Sequence, residues 1–251
     1  NSEEAIAAYE KAIEQDKRYV NARIGLGQMY LVSGRNEDAV AALQEAEIMA
    51  NDQAVVQKTL GEAYLIAQKP EMALLNFHKA IELDSAYATP HCGAGHAFLA
   101  QGQSEEAARS FFKAISLNPG YSAAYAGLGD LHLGDGRHEK AIVAYEKAIQ
   151  LGDRRAGTYE SMSQAYQAGD RFKEALEAHE EAVRVNPNHA FSYENLGNIY
   201  MALRRYEEAS EAFQKAIVAN DIAVRPLTGK GDALLALHAY DKARVAYESA
   251  V

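Results

Sequence analysis

The sequence predicts an all-α protein built from repeated pairs of antiparallel helices that stack into a solenoid. The first observation is a period of 34 residues, which runs through the 251-residue chain without an insertion. The second is the spacing of apolar residues, which recur at three- and four-residue steps in two blocks per period, a pattern typical of amphipathic helices. The third is a hydrophobic content of 48%, which is enough to bury a substantial core.

Small residues mark the period. In the series that starts at Gly27 and advances by 34 residues, every position is glycine except Ser163. Alanine recurs 12 and 19 residues after each position of this series. The glycines are Gly27, Gly61, Gly95, Gly129, Gly197 and Gly231. Helices approach closely only where side chains are small, so these positions are predicted to be helix crossings. We interpret Ser163 as a packing variant of the glycine, in preference to a functional serine.

Aromatic residues alternate with the small ones and give the repeat a recognisable signature. The segments "YAGLGDLH" and "AIVAYEKA" surround Gly129, and "YENLGNIY" and "ASEAFQKAI" surround Gly197. At this spacing the chain resembles the tetratricopeptide repeat (TPR) family over its whole length. The last repeat departs most from the signature, at Leu227, Lys230 and Leu234.

The resemblance implies a single TPR array with the form of a right-handed superhelical α-solenoid. It divides the chain into a second-helix remnant at 1–19, six complete repeats and a shortened final repeat at 224–251. The complete repeats are 20–53, 54–87, 88–121, 122–155, 156–189 and 190–223. The resemblance also implies a non-catalytic scaffold for protein–protein interaction, which binds a peptide or helix of a partner protein in a concave groove lined by the first helices.

Composition argues against several other classes of protein. Twenty-five Lys and Arg against 35 Asp and Glu leave a net charge of -10, which opposes binding to nucleic acid. No run of apolar residues is long enough for a membrane span, so direct membrane insertion is not expected. Cys92 is the only cysteine, which rules out an intrachain disulfide and leaves the compartment open.

No constellation of residues predicts catalysis, a cofactor or a metal. Nucleophilic catalysis needs a positioned base beside a serine or cysteine, and no such arrangement is evident. Cys92 and His96 share a helix face, but a zinc site takes three or four ligands, so ordinary packing is the favoured interpretation. The Gly-x-Gly pairs follow the repeat and lack the strand and lysine of a phosphate loop. The chain is therefore not expected to be an enzyme.

The resemblance assigns three columns of the first helices to the groove. The first is polar: Gln28, Glu62, His96, Asp130, Gln164, Asn198 and Asp232. The second is glycine-rich: Gly25, Thr59, Gly93, Gly127, Ser161, Asn195 and Gly229. The third is mostly apolar: Leu31, Leu65, Leu99, Leu133, Gln167, Met201 and Leu235. Glycines in the second column leave room either for a ligand or for tight packing by a neighbouring helix, and leucines in the third either contact a peptide or pack between first helices.

From these columns we predict the residues that bind the partner. They are Lys58, Glu62, Leu65, His96, Leu99, Asp130, Leu133, Gln164, Asn195, Asn198 and Met201. Acidic residues outnumber basic ones along the groove, which favours a neutral or basic partner segment.

Two other functions stay open. The first is a self-assembling structural array, since a chain that begins with an unpaired second helix leaves apolar faces for contact with further copies, as a homo-oligomer. The second is a regulatory or substrate-recruiting TPR segment of a larger enzyme, because the sequence does not begin with methionine.

Overall fold

A computed structural model describes residues 2–219 and 224–250 of the chain. All regular secondary structure in these ranges is α-helical, which confirms the predicted all-α fold. The helices are α1 Ser2–Gln15, α2 Val20–Val32, α3 Asn36–Met49, α4 Ala54–Ile66, α5 Pro70–Leu83, α6 Ala88–Ala100, α7 Ser104–Leu117, α8 Ser122–Gly134, α9 His138–Gln150, α10 Ala156–Ala168, α11 Phe172–Val185, α12 Ala190–Ala202, α13 Tyr206–Ala219, α14 Val224–Ala236 and α15 Tyr240–Glu248.

The helices group into two compact units that meet in sequence between Leu131 and His132. The N-terminal unit contains α1 to α7 and most of α8, and the C-terminal unit contains α9 to α15. Each unit is described by itself below.

Inside each unit, helices that follow one another in sequence pack side by side. In the N-terminal unit α5 packs against both α4 and α6, and in the C-terminal unit α13 packs against both α12 and α14. First helices of neighbouring repeats also touch, as α4 and α6 do. In both of these cases the second helix therefore lies between the first helix of its own repeat and that of the next. This is the solenoid packing of helix pairs that the period predicts.

An aromatic ring of the second helix fills the space between two glycines on successive first helices. A Cβ atom placed on Gly61 would lie 2.7 Å from Cε1 of Phe77, and one on Gly93 would lie 2.4 Å from Cζ of the same ring. Such distances are far inside van der Waals contact, so both positions require glycine while the ring is present. The glycines of the second column are thus explained by the packing of a neighbouring helix and need no ligand.

Ser163 takes the place of one of these glycines in the C-terminal unit. Its side chain is fully buried, and its Oγ donates a hydrogen bond of 2.8 Å to the carbonyl oxygen of Ala175 on the paired helix. The ring position of this repeat is occupied by His179, which is 1% exposed and whose Nε2 lies 2.8 Å from the carbonyl oxygen of Ser192. These contacts support the packing interpretation of Ser163.

A left-handed residue ends the first helix of every complete repeat, although the sequence pattern does not show it. Gly34 and Gly102 have φ of 73° and 72°, and Gln68 at the matching position has φ of 58°. The amide of the next residue, Lys69, donates to the carbonyl of Tyr64 at 2.9 Å, as in a Schellman cap. The turn geometry is therefore set by this hydrogen bond even where the residue is not glycine.

Gln68→Gly is expected to stabilise the protein by about 1 kcal/mol, because glycine adopts the left-handed conformation without steric cost. Urea unfolding followed by circular dichroism would measure the change. Gly102→Ala is the matched control and should destabilise the chain by a similar amount. A change in stability of the same sign in both variants would contradict this account of the turn.

Candidate partner-binding rows

The polar column of the first helices lies at or near the surface in both units. In the N-terminal unit Asp130 is exposed, and Glu62 and His96 are half-buried. In the C-terminal unit Gln164 and Asn198 are exposed. Together with Gln28 and Asp232, which are also exposed, we call this column the polar row.

The third column, which we call the apolar row, is partly buried. Leu65 and Leu99 in the N-terminal unit and Leu133 and Met201 in the C-terminal unit are half-buried, while Leu235 keeps 47% of its surface exposed. Leu65, Leu133 and Met201 each pack against a buried core cluster of their unit. Each of these side chains therefore supports the core on one side and retains accessible apolar surface on the other.

Local contacts orient the polar side chains of the N-terminal unit. Lys58 Nζ lies 3.0 Å from Glu62 Oε2, one helical turn away, and the lysine side chain is only 12% exposed. The imidazole of His96 meets the ring of Phe111 edge-on, with 5.1 Å between ring centroids. The predicted residues Lys58 and Glu62 are thus brought together as an ion pair, and His96 is held against the packing ring of its own repeat.

The acidic side chains of the C-terminal unit also have partners inside the protein. Glu194 pairs with Arg225 at 3.3 Å. Asp232 Oδ1 accepts a hydrogen bond of 2.7 Å from the hydroxyl of Tyr247, and this bond raises the pKa of Tyr247 to about 12. Glu160 accepts a hydrogen bond from Ser192 Oγ and lies 3.3 Å from His189 Nδ1. The ion pair with Arg225 offsets the negative charge of Glu194, while the hydroxyl donors orient the carboxylates of Glu160 and Asp232 without removing their charge.

Asn195 occupies the glycine-rich column and is half-buried. The equivalent residue of the next repeat, Gly229, lies against the Phe213 ring, where a Cβ would be 2.6 Å from Cζ. From the same register we expect Asn195 to lie beside His179, at a packing position that is also a candidate contact. The contacts of Ser192 and His189 with Glu160 were not predicted, because serine and histidine at these positions follow no repeat pattern.

The described residues form neither a metal cluster nor a membrane span. No group of three or more His, Cys, Asp or Glu side chains within 2–219 and 224–250 is arranged to hold a metal ion. No helix in the described part of the chain is both long enough and apolar enough to cross a membrane.

Comparison with known families gives one match, which covers most of the chain. The model of the family described as the cilia and flagella-associated protein 70 C-terminal domain, a TPR family, matches residues 3–233. No curated protein sequence matches the chain.

Several solved structures have a similar fold. A chain of the APC/C hetero-tetramer Cut9–Hcn1 aligns with a TM-score of 0.79 and 13% identity, covering 93% of this chain and 46% of that one. This chain therefore spans less than half the length of that relative. The pilF protein of Pseudomonas aeruginosa aligns with a TM-score of 0.66 and 20% identity over 85% of this chain and 96% of its own. A thermophilic TPR protein of Thermus thermophilus aligns with a TM-score of 0.67 and 18% identity, covering 72% of this chain and 99% of its own. At these identities the likeness shows the fold.

Proposed function

Since the chain belongs to the TPR family of the cilia and flagella-associated protein 70 C-terminal domain, we propose that it is a non-catalytic scaffold whose first helices bind a segment of a partner protein. The TPR fold is commonly a protein-interaction scaffold, and the similar Cut9–Hcn1 structure is itself a hetero-tetramer. The binding surface in this proposal is, in each unit taken by itself, the apolar row together with the polar row.

The observation that carries the proposal is the coexistence of these two rows along the first helices. Half-buried leucines such as Leu65 and Leu133 offer apolar surface that is already held in place by the core, so little side-chain entropy is lost on binding. Exposed polar side chains such as Asp130, Gln164 and Asn198 offer hydrogen bonds to the backbone of an extended or helical segment. Apolar anchors beside polar groups are the usual composition of a peptide-binding surface.

The charge of the surface supports a neutral or basic segment. Among the candidate residues, the N-terminal unit has the two acids Glu62 and Asp130 and the cation Lys58. The C-terminal unit has the three acids Glu160, Glu194 and Asp232 on its first helices, accompanied by Arg225. Because internal ion pairs offset part of the negative charge, the attraction for a basic segment is modest, and apolar contacts supply most of the affinity.

The double variant Leu99→Asp, Asp130→Lys is expected to weaken binding at least about tenfold, since it places a carboxylate in the apolar row and reverses one charge of the polar row. The probe is a set of 12-residue peptides selected from a random display library on the immobilised wild-type chain. Affinities would be measured by fluorescence anisotropy on labelled peptides, and a thermal melt would verify folding.

The matched control is Leu75→Asp, Glu82→Lys, which makes the same two changes on the exposed surface of the second helix α5. The control should bind the selected peptides as the wild type does. If the library yields no binders, or if both double variants bind equally well, the first helices are not the binding surface.

A further inference from the structure

A cavity lies between α13, α14 and α15 in the C-terminal unit. It has a volume of about 560 Å³ and a mostly apolar lining. An apolar cavity of roughly 150 Å³ already accepts benzene, so this one has room for an aromatic side chain and part of its backbone. Its lining includes Ser210, Gln214, Leu227, Lys230, Leu234 and Val245.

The cavity exists because the last repeat has lost the side chains that fill the same place one repeat earlier. There, Leu176 and Leu196 form a buried cluster, against which Tyr193 and Tyr200 pack. A step of 34 residues replaces the two leucines by Ser210 and Lys230, and the two tyrosines by Leu227 and Leu234. Four side chains of one packed cluster are thus replaced at once by smaller or polar ones.

In other repeats, the place that corresponds to the cavity is occupied by a tyrosine whose hydroxyl is hydrogen-bonded. The hydroxyl of Tyr200 donates to Glu180 Oε1 at 3.1 Å, and the guanidinium of Arg205 lies 4.7 Å from the ring centroid. Tyr30 and Tyr166 make the equivalent bonds to Glu10 and Glu146.

The cavity offers a hydrogen-bond partner for such a hydroxyl and a cation for such a ring. Gln214 stands at the position of Glu180, and its Oε1 accepts a hydrogen bond from Lys230 Nζ, which places a cation at the cavity. Ala239 stands at the position of Arg205, so no guanidinium from that position covers the site. A guest hydroxyl has an amide to bond with, and a guest ring has an ammonium group to stack on.

The charge of the cavity wall differs from that of its filled counterpart. Glu207, Glu208 and Glu211 of the preceding repeat are replaced by Asp241, Lys242 and Val245. With Lys230, the cavity is lined by two lysines and one aspartate, a positive site on a chain of net charge -10. Charge complementarity therefore favours a guest segment with acidic residues.

We propose that this cavity is a docking site for a tyrosine side chain carried by an acidic segment of a partner protein. The ring takes the place that Tyr200 fills in the preceding repeat, its hydroxyl bonds to Gln214, and the flanking carboxylates face Lys230 and Lys242. This site is separate from the polar and apolar rows, so an experiment that refutes one of the two proposals leaves the other standing.

The test is an NMR titration of the ¹⁵N-labelled chain with the peptide acetyl-Gly-Glu-Tyr-Glu-Gly-amide. We expect chemical-shift changes at Leu227, Lys230, Leu234 and Ala246, and an affinity at least about tenfold weaker when the peptide tyrosine is replaced by alanine. Leu234→Tyr should fill the cavity and weaken binding by at least about tenfold. Val143→Tyr adds the same ring to an exposed position of α9, which belongs to neither row and does not line the cavity, and should bind as the wild type does.

Ser210→Leu restores the leucine found at residue 176 and gives a second, independent way to fill the cavity if Leu234→Tyr does not fold. The proposal is overturned if millimolar peptide perturbs no cavity residue, or if a correctly folded filled variant binds as well as the wild type. It is also overturned if free p-cresol binds as tightly as the peptide, since the cavity would then be a small-molecule site.

Discussion

Phe111→Ala is expected to lower the free energy of unfolding by about 3–5 kcal/mol. Phe111 is fully buried in α7, and its ring lies between Gly95 and Gly127 of two successive first helices. Cβ atoms placed on these glycines would come within 2.6 Å and 2.3 Å of Cε1 of the ring. Because glycine has no side chain, neither neighbour can move into the space that the ring leaves, and most of the cavity would remain.

The neighbouring residue provides the control. Phe112 is 59% exposed on the same helix, so Phe112→Ala should change the free energy of unfolding by no more than about 0.5 kcal/mol. Urea unfolding of both variants would measure the difference. A similar loss in the two variants would mean that the ring between the glycines is not the main packing contact of the repeat.

His179→Phe is expected to destabilise the C-terminal unit by about 1–3 kcal/mol, although three other repeats carry phenylalanine at this position. In the repeat with Phe213, the position equivalent to Ser163 is Gly197, where a Cβ would lie 2.6 Å from the ring. Ser163 carries that Cβ, so a phenylalanine ring at residue 179 has no room. The change also removes the hydrogen bond from His179 to the carbonyl of Ser192.

Ser163→Gly should therefore rescue part of the loss in His179→Phe, while Asn195, at the second position that is glycine beside Phe213, keeps its Cβ. A double-mutant cycle measured by urea unfolding is expected to give a favourable coupling of about 0.5–3 kcal/mol. Gly197→Ser provides the reverse control, since a serine beside Phe213 should destabilise a repeat that now has glycine. Additive effects in the cycle would show that the two positions are not in contact.

The same double variant should change how stability depends on pH. Burial lowers the pKa of the His179 imidazole, so the folded protein resists its protonation. In the unfolded chain the imidazole binds a proton below about pH 6.5, and the stability therefore falls as the pH drops from there toward the lower folded pKa. Melting curves between neutral and mildly acidic pH should show a smaller loss for the double variant than for the wild type.

The period and the small residues were sufficient to predict the all-α solenoid of helix pairs. They work because close helix packing tolerates few side chains, so glycine and alanine must return wherever the same crossing returns. The Schellman turn was not predicted, since Gln68 adopts the left-handed conformation without being a glycine. A hydrogen bond between backbone groups sets that turn, and the identity of the side chain does not reveal it.

The candidate site could be predicted only in part. The polar and apolar rows follow from the repeat register, and their residues stay predictions until a partner is measured. The meaning of the glycine-rich column could not be decided from sequence, because a missing side chain leaves space that either a ligand or a neighbouring ring can fill. The ring of Phe77 against Gly93 decides that question in favour of packing.

The sequence by itself determined the repeat, the helix pairs and the family, because each of these depends on residue types that recur at fixed spacing. Only the tertiary structure decided what occupies the spaces between helices. Aromatic rings of the second helices occupy the space beside the glycines of the second column. Leu227, Lys230 and Leu234, which look like ordinary departures from the signature, instead leave a cavity open. The physical reason is that volume is a property of all the side chains that meet at one place, and these come from three different helices.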